Sequence, residues 1–280
     1  MDLWFQEKQT PHLSMGCRVK KILEHKITTY QEVSLLDTNA FGRMLVLDGY
    51  IQTTEKDEYI YHEMIVHVPL MTHSEPANVL IIGGGDGGAA REVLKHSSVE
   101  KVTMVEIDEE VVEICKSYFP ATANALKDSR MELIYTDGRE YLRNKEDEFD
   151  IIIVDSTEPV GPSAGLFAPE FYQSAYTSLK AEGILVAQTE SPFYNQDIIT
   201  NSYTSLSELF PVTEVYLAPV PSYPGGLWSF MMGSKKYQPY NYDLLQKEWQ
   251  VEGCRYYSPQ VHWSSFILPP FITELLQNGK

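Results

Sequence analysis

The stretch VLIIGGGDGGAARE, residues 79–92, constrains this chain more than any other. An apolar run of strand length leads into a loop holding Gly83, Gly84, Gly85, Gly87 and Gly88, and a helix-forming run follows. Glycines let a backbone turn tightly and approach a ligand closely. In an open α/β sheet, ligands bind beyond the carboxyl ends of the strands, first of all at such a loop. Gly83, Gly85 and Gly88 satisfy GxGxxG, a weak signal alone. It gains weight from Glu106, which closes the next apolar run (TMVEID) 23 residues after Gly83. A carboxylate there is placed to accept both ribose hydroxyls of an adenosine-type ligand.

The rest of the chain builds a fold around this loop. Short apolar runs at 79–82, 101–106, 131–135, 149–154, 183–188, 212–217 and 227–233 read as strands, with helices near 88–96, 109–118, 138–144, 170–180 and 196–209. Continuous apolar strands separated by helices predict an α/β protein with a mostly parallel sheet covered on both faces. The last two strands lack a helix between them and are expected to form an antiparallel edge pair, joined by PVPSYPGG at 219–226. Residues 1–56 read differently: segments 30–37 and 43–54 are strand-like, and Asp48–Gly49 marks a two-residue hairpin. The expected division is a small N-terminal antiparallel β domain, 1–56, and a Rossmann-like domain, 57–280. A helix over 57–71 is predicted to carry Ile60, Met64, Val68 and Met71 on one face, with Pro69 disturbing its last turn. PPFITELLQNG near the end predicts a short amphipathic helix.

Charge narrows the partners. Asp and Glu number 39 against 22 Lys and Arg, for a net charge of −17. Such a surface repels phosphate backbones and anionic lipid, so neither nucleic acid nor membrane is an expected partner. Cationic ligands suit it better. Cys17, Cys115 and Cys254 lie far apart without a CxxC pair, and MDLWFQEKQT is no signal peptide, which together point to a cytoplasmic protein. In YIYHEMIVH, His62 and His67 are five apart rather than four and diverge on a helix, so no zinc site is expected there and no metal elsewhere.

Three carboxylates then carry information. Asp86 sits inside the glycine loop, where a pyrophosphate or an amino-acid carboxylate would meet it at close range. An adenosine-linked ligand ending in an ammonium fits better; a turn aspartate bonded to its own backbone is the alternative. Asp137 in TDGREYL is placed to accept from an adenine amino group or to cap a helix. Asp155 and Glu158, in FDIIIVDSTEPVGP, are three residues apart at a strand end, and keeping both ionised needs a cation or donors between them. The alternative is a cap or turn role for Asp155 with Glu158 solvated.

VLIIGGGDGGAARE, VEID, TDGREYL, VDSTEPVGP, LDGYIQTTEKDEYIYHEM and the late YPGGLW together resemble the polyamine aminopropyltransferases, the family of the bacterial spermidine synthases, in order along nearly the whole chain. The resemblance implies a methyltransferase-like seven-stranded domain beneath a small β domain, in a homodimer or homotetramer. It also implies transfer of an aminopropyl group from decarboxylated S-adenosylmethionine, a co-substrate rather than a cofactor, to putrescine, giving spermidine and methylthioadenosine. Carried over by position, Asp155 is the proton acceptor, with Tyr61 and Tyr223 orienting the nucleophile. Gln31, Gly83, Gly85, Glu106, Asp137, Gly138 and Pro162 face the donor. His62, Asp86, Ser156, Thr157, Glu158 and Gln188 face the polyamine and the donor's aminopropyl arm. Many members have aspartate where this chain has Glu158, which leaves acceptor length open among putrescine, cadaverine, agmatine and spermidine. An amine N-methyltransferase and a non-catalytic polyamine-binding paralogue are the rival readings; Asp86 speaks against the first, Asp155 and Tyr61 against the second.

Overall fold

A computed structural model describes residues 2–159, 161–240 and 251–278. Five antiparallel strands in chain order form the first sheet: β1 (Leu3–Thr10), β2 (Leu13–Ile27), β3 (Glu32–Thr38), β4 (Gly42–Leu47) and β5 (Tyr50–Thr54). The hairpin between β4 and β5 turns at Asp48 and Gly49, both at positive φ (49° and 86°), as a tight two-residue turn requires.

The second sheet has seven strands: β6 (Asn78–Gly83), β7 (Lys101–Glu106), β8 (Met131–Tyr135), β9 (Phe149–Asp155), β10 (Leu179–Gln188), β11 (Val212–Pro219) and β12 (Leu227–Ser234). Their order is β11-β12-β10-β9-β6-β7-β8, and all pairings are parallel except those of β12. The expected antiparallel edge pair of β11 and β12 is present. Strands β11 and β12 are antiparallel, but β12 is wedged between β11 and β10, and only β11 lies at the edge. The burial of β12 explains this: Met231, Met232 and Phe230 are fully enclosed, which an edge strand would not achieve.

The helices are α1 (Glu58–Thr72), α2 (Gly88–Val93), α3 (Glu109–Tyr118), α4 (Pro120–Ala123), α5 (Gly138–Leu142), α6 (Pro169–Ser178), α7 (Gln196–Leu209), α8 (Pro259–Ser265) and α9 (Pro270–Asn278). None among the described residues is long and apolar enough to cross a membrane. Helix α1 departs from the one-face expectation. Every residue from Ile60 to Leu70 is buried, because α1 packs against the second sheet, α2 and the C-terminal segment. Pro69 is accommodated inside the helix, which runs on to Thr72 with His73 N–H bonded to the Pro69 carbonyl at 3.0 Å. On the polar side of α1, Glu63 accepts three backbone N–H bonds, from Arg255, Tyr256 and Tyr257 at 2.7–2.8 Å, and so fastens the C-terminal segment.

Candidate active site

The carboxyl ends of β6, β7 and β9 open into one cleft of about 1020 Å³, counted out to its mouth. Gln31, Tyr61, His62, Gly83, Gly85, Asp86, Glu106, Asp137, Gly138, Asp155, Ser156, Thr157, Pro162 and Tyr223, all singled out from sequence, line it. The two others, Glu158 and Gln188, do not reach its wall. Gln188 is buried and works from behind, its amide donating to the Ser156 and Thr157 carbonyls at 3.2 and 3.4 Å. The Glu158 carboxylate accepts at 3.0 Å from Gln52, which does line the cleft.

The glycine loop is bare because the space is taken. A Cβ on Gly83 would stand 2.1 Å from the Asp155 carbonyl oxygen, and φ there is +83°. A Cβ on Gly88 would stand 2.1 Å from the His62 ring. Strand β9, paired with β6 residue for residue up to Gly83 and Asp155, brings the aspartate against the loop.

At one end of the cleft, Glu106 accepts from the Asp108 amide at 3.0 Å, and burial lifts its carboxyl to about 7. Asp108 also accepts from the Gln31 amide at 2.9 Å, which ties β3's entry to this corner. Asp137 bears out the capping reading made for it. It caps α5 through the Arg139 N–H at 2.8 Å, and it faces the cleft. Its ion pair with the Arg139 side chain holds its carboxyl below the ordinary range.

At the other end, Tyr61 donates to Asp155 at 2.7 Å. Burial raises the Asp155 carboxyl to about 6; the positive His62 works against that rise, Asp86 adds to it, and the Tyr61 bond opposes it. Tyr223 does not touch Asp155. It donates to the Gln52 carbonyl at 2.6 Å and packs edge-on against Tyr61. Asp86 bears out the turn-aspartate reading, accepting from the Gly88 N–H at 2.7 Å, and it lies 3.3 Å from His62 Nε2 while facing the cleft. Burial disfavours its charge, but His62 and the Gly88 amide outweigh that and hold its carboxyl low.

Several residues of this region escaped sequence reading. Glu7 on β1 and Glu190 just past β10 are buried, and they sit in the field of Glu158. Burial raises all three carboxyls, with Asp48 adding to the rise at Glu158 and Glu158 adding to it at Glu7 and Glu190: Glu7 and Glu158 reach about 7 and Glu190 about 8. Glu190 had a usable signal, a carboxylate at a strand end like Asp155; Glu7 had none, lying in the charged run QEKQ. His67, Glu92 and Cys254, scattered in sequence, also meet, with His67 Nε2 at 2.9 Å from Glu92 and 3.4 Å from Cys254. Glu92 is already engaged there by Arg91 and Lys95, both at 2.6 Å, so its charge is matched by the chain itself.

The chain matches the model of the spermine/spermidine synthase domain over residues 58–243 and that of the spermidine synthase tetramerisation domain over 3–55. It is 52% identical over 275 residues to a polyamine aminopropyltransferase of Moorella thermoacetica, covering 98% of this chain and 96% of that one. To its counterpart in Caldicellulosiruptor saccharolyticus it is 51% identical over 277 residues, covering 99% of each. Among solved structures it resembles a spermidine synthase in complex with the transition state analogue AdoDATO (TM-score 0.95, 39% identity, 99% of this chain and 95% of that one). It also resembles the spermidine synthase of Thermotoga maritima (TM-score 0.91, 38% identity, 98% and 94%). The fold and cleft are those of an aminopropyl-transferring enzyme. The chain belongs to the spermine/spermidine synthase family.

Proposed function

We propose that this protein transfers the aminopropyl group of decarboxylated S-adenosylmethionine to putrescine, yielding spermidine and methylthioadenosine. The observation that carries the reading is the charge of the cleft. Asp48, Asp86, Glu106, Asp137 and Asp155 line it, and among the described residues no lysine or arginine does. A doubly cationic donor and a diamine are the ligands such a wall selects. The AdoDATO complex of the solved relative is in keeping with this. Glu106, Asp137 and Gln31 would receive the adenosine, and Asp86 the donor's ammonium. Glu7, Glu158 and Glu190 form a buried acidic end whose repulsion a distal ammonium would relieve. Ser156 Oγ, buried beside Asp155, has no hydrogen-bond partner among the described residues and could meet a ligand.

The chemistry follows. The amine lone pair attacks the carbon beside the sulfonium; a C–N bond forms, the C–S bond breaks, and its electrons leave with sulfur as a neutral thioether. No acid is needed at the leaving group. The amine's surplus proton passes to Asp155, held in place by Tyr61. The chain is further expected to work as a homo-oligomer, since it matches the tetramerisation domain and exposes Leu3, Trp4, Leu13 and Ile22 on β1 and β2. The test is methylthioadenosine release from the purified protein, supplied with the decarboxylated donor and, in turn, putrescine, cadaverine, agmatine or spermidine. Putrescine should give the highest kcat/KM. No release with any amine, or equal turnover with S-adenosylmethionine itself, would overturn the reading.

A further inference from the structure

Among the described residues, His62 is the one basic side chain in the cleft wall, and it is gripped from outside. Arg91 on α2 donates two parallel bonds to Glu58 on α1, at 2.8 and 2.9 Å. Glu58 Oε2 lies 2.6 Å from His62 Nδ1, and His62 Nε2 lies 3.3 Å from Asp86. Four charges thus alternate in a line from α2 into the cleft. Both ring nitrogens face carboxyl oxygens, and an imidazolium, with hydrogen on both nitrogens, satisfies both contacts when those carboxyls are ionised. Neither Glu58 nor Arg91 lines the cleft. Arg91 cannot swing away, since its Nε also holds Glu92 at 2.6 Å. The His62 ring cannot shift either, seated as it is against the bare backbone of Gly88.

We propose that Glu58, anchored by Arg91, is a positioning residue that fixes His62 as an imidazolium and so keeps Asp86 and Asp155 as carboxylates ready for the donor's ammonium and the amine's proton. This rests on the function proposed above. The groups that face His62 are Glu58 and Tyr61 on its own helix, Asp86 on the glycine loop and Asp155 on β9, with Arg91 behind Glu58. Burial opposes a charge on the ring, but Asp86 and Glu58 overcome it and hold its proton well beyond the ordinary histidine range. The positive ring in turn draws the Asp155 carboxyl down against its burial. Beside a bound amine, the same charge disfavours the ammonium form while keeping Asp155 unprotonated and open to accept.

The experiment follows the charge of His62 by nitrogen-15 NMR of labelled histidines, assigned against His62→Gln, alongside the pH profile of kcat. Circular dichroism and methylthioadenosine titration check that each variant is folded. At pH 7.5 the wild type should show an imidazolium. Glu58→Gln should show a neutral ring and an acid limb of kcat moved up by about one pH unit, the scale on which a neighbouring opposite charge acts. Glu58→Asp should fall between the two. Arg91→Met, which removes the anchor but leaves the Glu58 charge, should keep the imidazolium and the limb, a contrast that general structural damage would not produce. A neutral ring in the wild type, or an unchanged imidazolium in folded Glu58→Gln, would overturn the proposal. If the NMR signals behave as stated but the wild type releases no methylthioadenosine, the relay stands and the functional reading falls.

Discussion

Tyr61 and Asp155, 94 positions apart in the chain, meet in a 2.7 Å hydrogen bond in which the phenol donates to the carboxylate. The bond uses one Asp155 oxygen, and the proposed proton transfer would use the other. Asp155→Asn should lower turnover by about 10²–10⁴ while binding of methylthioadenosine, measured by calorimetry, barely changes. Glu106→Gln should do the reverse, weakening methylthioadenosine binding more than turnover at saturation.

Donor choice should read out Asp86. Asp86→Asn is expected to weaken binding of the decarboxylated donor by about 1.5–3 kcal/mol, as for a hydrogen bond to a charged group. Methylthioadenosine, which has no ammonium, should bind the variant nearly as well as the wild type. Competition titration compares the two ligands directly.

The acidic trio makes stability depend on pH in a specific direction. Glu7, Glu158 and Glu190 titrate near 7, 7 and 8 in the folded chain, above the usual carboxylate range near 4.3. The folded state therefore binds more protons than the unfolded one, and stability falls as pH rises from about 4.5 to about 8. Thermal melts across that window should show the decline. Putrescine should raise Tm more at pH 8 than at pH 6, and Glu7→Gln should flatten the slope.

Gly49 and Gly83 share nearly the same backbone, with φ of +86° and +83°, but not the same surroundings. Nothing lies within 4 Å of a Cβ on Gly49, so Gly49→Ala should cost only the conformational term, about 1–2 kcal/mol. Gly83→Ala adds a collision with the Asp155 carbonyl and should cost clearly more in urea unfolding, with loss of turnover.

Assembly should depend on the outer strands. Light scattering is expected to give a mass of at least twice the 31.9 kDa chain. Trp4→Glu, placed on the 57% exposed Trp4 of β1, should shift that mass downward.

The second sheet was legible because parallel strands buried on both faces read as unbroken apolar runs, and β6, β7, β8 and β9 begin and end within a residue of expectation. The cleft was legible because its chemistry sits at strand ends and in the glycine loop. What stayed hidden depended on long-range packing. Strand β1 carries Gln6, Glu7 and Lys8 and has no clean alternation, so neither its boundaries nor the inward turn of Glu7 could be read locally. The wedging of β12 is a choice between two partners with the same local pattern. The relay through Glu58 and Arg91 needed the contact of α1 with α2, which no spacing announces.

Helix α1 carries Tyr61 and His62 on its cleft side, while Glu63 and His67 secure the far end of the chain. Enclosed from Ile60 to Leu70, the helix ties the cleft-side groups and the docking of the C-terminal segment to one rigid element. Gln52 on β5 and Glu158 past the end of β9 stand off that helix, so a change of side-chain length at Glu158 leaves the Tyr61–Asp155 bond in place.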